Sequence, residues 1–150
     1  MVEPLLVHGT AVAIDGGAVL IRGPSGAGKS DLAVRLIDRG ARLVADDQAL
    51  VRREGDELLV RAPETIRGLI EIRGLGILRL EALEEAPLVL VVDLVAPDAV
   101  ERLPERRSES LFGLSLPLIA LAPFEASAAA KVRLARRAFA ALPAPGIMAA

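Results

Sequence analysis

The sequence predicts an α/β fold, a P-loop-containing sheet with flanking helices. Three observations point there. Gly23-Pro24-Ser25-Gly26-Ala27-Gly28-Lys29-Ser30 follows an apolar, strand-like run and opens a helix-like one. Residues 88–95 (LVLVVDLV) have the unbroken apolar, Val-rich character of a central strand buried on both faces. Several further segments of strand length alternate with turn residues, while two stretches carry helical composition.

Taken in order, residues 5–22 predict two strands, LLVHGTAVAID and AVLIR, joined by turn chemistry at Asp15-Gly16-Gly17. A helix is expected from Lys29 or Ser30, with Leu32, Ala33, Leu36 and Ile37 on its apolar face and Gly40 stopping it. Residues 41–47 (ARLVADD) read as a buried strand ending in two carboxylates. Residues 48–63 form a hairpin about Gly55-Asp56. Residues 69–80 (LIEIRGLGILRL) read as one strand with an irregular Gly-Leu-Gly centre. Residues 96–111 are polar and Pro-containing, which marks them as the mobile segment. Residues 115–123 supply a last strand and 125–142 a helix, after which the tail is expected to fray. No linker or repeat divides the chain, so residues 1–150 are expected to form a single domain.

Composition narrows the chemistry. The chain of 150 residues is 53% apolar and 25% charged, a globular balance, with a formal net charge of −2. It contains no Cys, which removes thiol nucleophiles, disulfides and Cys-based zinc sites. It has one His, His8, and no Trp or Tyr, so stacking platforms for single-stranded nucleic acid are not expected. Lys29 and Lys131 are the only lysines among 18 basic residues. The N-terminus lacks a basic region and a long apolar core, and no apolar run approaches the ~18 residues of a membrane span. No nucleic acid or membrane partner is expected, and the cytoplasm is the expected location.

The loop at 23–30 matches GxxxxGK[ST] in full. Its glycines let backbone N–H groups turn inward toward phosphate oxygens, and the helix N-terminus adds partial positive charge. Lys29 can reach the β- and γ-phosphates, and Ser30 offers a hydroxyl to Mg²⁺. ATP and Mg²⁺ are therefore the expected ligands.

Asp46 and Asp47 stand at a strand end, where carboxylates at a phosphate site hold Mg²⁺ or take a proton from an attacking hydroxyl. A solvated turn is the plainer reading of the same pair. Glu71 and Arg73 share a strand face by the period of two, as a metal carboxylate with its partner or as an ordinary edge pair. Asp93, inside an apolar run, suits either a Walker B acid or a structural ion-pair partner. His8, alone in an apolar strand, is by type a structural residue or a site residue.

With those residues in hand, the chain resembles the catalytic domain of the HPr kinase/phosphorylase family. The resemblance is carried by Val7-His8-Gly9, the loop at 23–30, Arg42-Leu43-Val44-Ala45-Asp46-Asp47, and residues 68–77 (GLIEIRGLGI). The last of these is similar to the family's signature segment. The compact form resembles the short alphaproteobacterial members. The resemblance implies a fold of the PEP-carboxykinase-like, HPr kinase type. It also implies a bifunctional enzyme of carbon-metabolism regulation, which uses ATP and Mg²⁺ to phosphorylate a seryl hydroxyl on the phosphotransferase carrier HPr. The same site reverses the reaction by phosphorolysis, yielding pyrophosphate, and members are hexamers.

Position by position, the resemblance makes His8 an active-site residue, Lys29 the phosphate-binding lysine and Ser30 a Mg²⁺ ligand. It makes Asp47 the general base, assisted by Asp46, and Glu71 the second Mg²⁺ ligand. Arg102 matches an active-site arginine on a loop. The pattern departs at residues 117–123 (PLIALAP), where long members carry an Arg- and Gly-containing loop tied to dephosphorylation. That departure leaves phosphorolysis open. Two other readings suit the loop and carboxylates: a P-loop kinase of a small molecule, and a nucleotide-sensing module without turnover.

Overall fold

A computed structural model describes residues 3–140. Its elements are β1 (Leu5–His8), β2 (Thr10–Ile14), β3 (Gly17–Arg22), α1 (Lys29–Asp38), β4 (Arg42–Ala45), β5 (Gln48–Glu54), β6 (Glu57–Arg61), β7 (Leu69–Ile72), β8 (Gly76–Arg79), β9 (Ala86–Leu94), β10 (Arg107–Leu111), β11 (Leu114–Leu121) and α2 (Ala128–Ala138). Among the described residues, no helix is long and apolar enough to cross a membrane.

The sheet runs β1-β5-β6-β9-β3-β2-β4, with β11 also on β9 and β10 on β11. β9 is central, as its composition predicts. It pairs parallel to β3 and to β11, and antiparallel to β6 through its first two residues only. β6 and β11 thus share one edge of β9, so the sheet forks there and curls. Along β2 and β3 the alternating side chains divide between two cores. Val12, Ile14, Val19 and Ile21 pack with Leu32 and Leu36 of α1 and Val132 of α2. Ala11, Ala13, Ala18 and Leu20 face Val51, Val60, Leu116 and Leu118 of the curled sheet. Both helices therefore cover one face, and the sheet closes the other on itself.

The two-residue turn between β2 and β3 has positive φ at both Asp15 (50°) and Gly16 (80°), the combination that matches strand twist in a tight hairpin. α1 ends as Gly40 predicts. Gly40 adopts φ 104°, its N–H donates to the Ile37 carbonyl, and the Ala41 N–H donates to that of Leu36, a Schellman closure.

Four expectations are corrected. The first predicted strand breaks at Gly9, where a Cβ would lie 2.9 Å from the Ile21 carbonyl oxygen. The chain uses this break to send β1 to β5 while β2 pairs with β3 and β4. Residues 69–80 are a hairpin rather than one strand. Gly74 (φ 93°) and Gly76 (φ 99°) reverse the chain, and β7 pairs with β8 as a separate two-stranded sheet. Within the segment 96–111, to which the sequence assigns no strand, Arg107–Leu111 forms β10. The last helix spans Ala128–Ala138, starting later and ending earlier than predicted, with Pro123 and a turn ahead of it; the tail lies outside the described residues.

α2 is fastened by Arg136, which is 7% exposed. Its guanidinium donates to the carbonyls of Ile14 (3.0 Å), Asp15 (3.1 Å) and Ala140 (2.9 Å). Arg136→Leu keeps the stem packing and strands those carbonyls. Unfolding by denaturant should show a loss of about 2–4 kcal/mol, from two or three unmet buried partners. A loss below ~0.5 kcal/mol would show that the clasp is dispensable.

Candidate active site

β3 delivers the glycine-rich loop and α1 receives it. Gly26 (φ 81°) and Gly28 (φ 103°) take left-handed conformations, and Gly28 is the residue that caps α1. A side chain at 28 would also collide with the Phe124 ring, whose Cζ would lie 2.8 Å from its Cβ. The Lys29 side chain is buried at the mouth of the loop. Its ammonium donates to the carbonyls of Gly23 (2.7 Å) and Pro24 (3.0 Å). These bonds hold the loop's strand-side limb against the helix that follows it.

Asp46 is the hub of the site. It is 7% exposed, and its Oδ1 accepts from the Ser30 hydroxyl (2.7 Å) and the Thr10 hydroxyl (3.0 Å). Its Oδ2 accepts from the Glu71 backbone N–H (3.0 Å). One carboxylate therefore ties together α1, β2 and β7. Burial of the charge is tolerable because three donors satisfy it.

Asp47 differs in every respect. It leaves the strand with φ 68°, inside a tight turn in which the Gln48 N–H donates to the Asp46 carbonyl (2.7 Å). Asp accepts this left-handed backbone more readily than most residues. The turn swings the Asp47 carboxylate outward, 62% exposed, where its Oδ1 lies 2.8 Å from His8 Nε2. The Gly9 N–H donates to the Asp47 carbonyl (3.0 Å), and the Asp47 N–H to the Thr10 hydroxyl (3.2 Å). The His8 side chain is half exposed. The break at Gly9 and the β1–β5 pairing place it beside Asp47.

Glu71 lies on β7 next to Asp46 through its backbone, and its side chain is exposed. Arg73 does not share a strand face with it, because β7 ends at Ile72 and Arg73 belongs to the turn. Asp93 resolves as an ion-pair partner. Arg22 donates to it through Nε (2.7 Å) and Nη2 (3.0 Å), and to Glu109 (2.9 Å). The hydrogen bond that Arg22 donates to Asp93 raises the Arg22 pKa, against desolvation, with Glu109 adding to the rise. The triad locks β3, just before the loop, to β9 and β10. Arg102 lies exposed between the short turn at Pro97–Ala99 and β10, with no hydrogen bond to the site among the described residues. Residues 117–121, where the resemblance departs, belong to β11 and are engaged with β9 and β10 rather than forming a loop.

Thr10 went unread in the sequence. A threonine within an apolar strand carries no signal, yet its hydroxyl bridges the two aspartates. Its pairing is a product of the β2–β4 register, which places Ala11 opposite Ala45.

Comparison with known proteins places this geometry in context. A sequence model of the family described as HPr Serine kinase C-terminal domain matches residues 1–122. An HPr kinase/phosphorylase of Exiguobacterium sp. is 56% identical over 73 residues, 48% of this chain and 24% of that protein. One of Geobacillus kaustophilus is 50% identical over 96 residues, 59% of this chain and 31% of that protein. The matched part is therefore less than a third of the length of these relatives. The solved structure described as the Hpr(Ser) kinase/phosphatase from Coxiella burnetii superposes with a TM-score of 0.79. It is 28% identical, and the match covers 89% of this chain and 94% of that one.

Proposed function

The chain belongs to the HPr serine kinase C-terminal domain family, and from that premise we propose that it transfers the γ-phosphoryl group of ATP to a seryl hydroxyl on an HPr-type phosphocarrier protein. The observation that carries the reading is the division of labour between adjacent carboxylates. Asp46 is buried on Ser30, at the phosphate loop, while Asp47 is exposed on His8, at the surface. An acceptor presented by a protein surface cannot enter a closed pocket, so an exposed base beside a phosphate loop suits it.

The donors fit a magnesium ion. The Ser30 hydroxyl and the Asp46 carboxylate, 2.7 Å apart, are hard oxygen groups next to the loop, and the exposed Glu71 carboxylate is the third candidate. Among the described residues no cluster of three or more His, Asp or Glu is arranged to hold a metal alone. Mg²⁺ at phosphoryl-transfer sites needs none, because water and substrate phosphates supply most of its shell. When bound, the ion neutralises charge on the β- and γ-phosphates. Loop amides and Lys29 grip the same oxygens. Asp47 accepts the proton as the seryl oxygen bonds to the γ-phosphorus and the bond to the β-phosphate bridging oxygen breaks, releasing ADP. His8 holds the Asp47 carboxylate in its outward rotamer. Catalysis is then mostly positioning and charge stabilisation. Arg102 is proposed as an active-site arginine from the family resemblance. Hexamer formation and a cytoplasmic location are proposed on the same ground.

Incubation with γ-labelled ATP, Mg²⁺ and HPr should place label on serine. Nucleotide binding without transfer would instead favour the sensing module, and label on a small hydroxyl compound the small-molecule kinase. Feeding phosphoseryl-HPr and inorganic phosphate asks about the reverse direction. Pyrophosphate release would show that phosphorolysis does not need basic residues at 117–123.

A further inference from the structure

The phosphate loop is flanked unequally. On one side stand Ser30, Asp46 and the Asp47–His8 pair, and the reaction above uses them all. On the other side lies an apolar cleft of about 480 Å³ that it does not use, walled in part by Pro24, Ala27, Leu94, Pro97 and Phe124. Pro24 and Ala27 belong to the loop itself, so the cleft is continuous with it. The remaining walls are the segments that follow β9 and β11. Both strands run parallel, directly or through β9, to β3, which ends in the loop. The cleft is thus the crevice outside the carboxyl ends of three parallel strands, where open α/β sheets receive ligands.

One wall is aromatic and fixed. Phe124 is one of three Phe in a chain without Trp or Tyr, and it is 70% exposed. It does not project freely, since its ring rests against the backbone of Gly28. Arg35 of α1 donates to the carbonyls of Pro123 and of Glu125, the latter at 3.3 Å. Arg35 is itself paired with Asp31 at 3.0 Å. The helix that begins at the phosphate loop therefore also clamps the segment carrying the exposed ring.

We infer that this cleft is the base subsite. It receives the purine of a nucleoside triphosphate whose phosphates occupy residues 23–30, with the face of Phe124 as stacking surface. The inference rests on the loop's being a nucleotide site. The base is a purine because the proposed donor is ATP, and this cleft is its place for three reasons: it is continuous with the loop, its volume falls within the range of small-molecule sites, and its lining is largely apolar with one flat ring. Such a lining reads the π-face of a base more than its polar edge, so adenine and guanine nucleotides should be told apart only weakly.

The test measures equilibrium binding, with Mg²⁺, of ATP and of inorganic tripolyphosphate, which has the phosphates and no base. Wild type should bind ATP more tightly than tripolyphosphate. Phe124→Ala should weaken ATP by about five- to a hundredfold and leave tripolyphosphate within twofold, and Phe124→Trp should restore ATP. Ala96→Trp, at an exposed wall residue, should fill the cleft and weaken ATP alone. Equal binding of ATP and tripolyphosphate by wild type would overturn the base subsite while leaving the loop's role intact. So would a Phe124→Ala variant that weakens both ligands alike, or neither. Binding of neither ligand by wild type would instead overturn the reading of the loop, and the subsite with it.

Discussion

Asp47→Asn should lower phosphoryl transfer to a seryl protein by about 10²–10⁴-fold, the usual weight of a general base. Affinity for ATP should stay within twofold of wild type. The split follows from where Asp47 sits. Its carboxylate is outward and exposed, and its recorded side-chain partner is His8. Among the described residues, no hydrogen bond or ion pair links the carboxylate to the loop, Lys29 or Ser30. Asparagine keeps the shape and an acceptor oxygen, but it cannot take a proton from an attacking hydroxyl. Single-turnover transfer and equilibrium nucleotide binding, measured on the same preparation, check both halves. Near-normal transfer would remove Asp47 as the base, whereas a parallel loss of ATP affinity would place it in the phosphate site instead.

The neighbouring substitution should behave oppositely. Asp46→Ala strips the acceptor from the Thr10 hydroxyl, the Ser30 hydroxyl and the Glu71 N–H at once. All three lie in a part of the molecule where water cannot easily replace it, since Asp46 is 7% exposed. A destabilisation of about 2–4 kcal/mol is expected, or a fall in melting temperature of roughly 5–15 °C for a domain of this size. Transfer should be lost together with its dependence on Mg²⁺. Ser30→Ala removes one of the three bonds and should cost less than half as much stability while weakening the same metal dependence. Calorimetry on the three variants orders them: Asp46→Ala lowest, Ser30→Ala intermediate, Asp47→Asn close to wild type. Equal melting temperatures for Asp46→Ala and wild type would show that the hub is not a structural tie.

What the sequence could reveal depended on how local the cause was. The β2–β3 turn, the start of α1 and its Gly40 stop are each set by residues within a few positions, and they were legible. The hairpin β7–β8 was misread because its turn glycines lie inside an apolar run that also suits a bent strand. The antiparallel pairing of β7 with β8 settles the matter. β10 was missed because RSESL is polar and exposed, so it lacks the apolar alternation that marks a strand. Asp93 could not be assigned while Arg22, 71 residues earlier, was unknown as its partner. The same distance problem hid Thr10, and with it the reason that two adjacent aspartates face such different surroundings.

The topology of β3 has a consequence for how the protein comes into being. One flank of β3 is β2, joined by a two-residue turn, and it can form early. The other is β9, whose Val92 lies opposite Ile21. Bringing such distant segments together costs chain entropy before any contact repays it, and pairings of this kind are slow. During synthesis the motif-bearing first half of the chain therefore leaves the ribosome with β3 open along one edge. An open apolar edge is a template for wrong pairing. The loop at 23–30 gains its rigid base only when the second half arrives. The first half, although it holds the glycine-rich loop and both aspartates, is thus a nascent chain dependent on sequence not yet made, and it is most exposed to aggregation before β9 emerges.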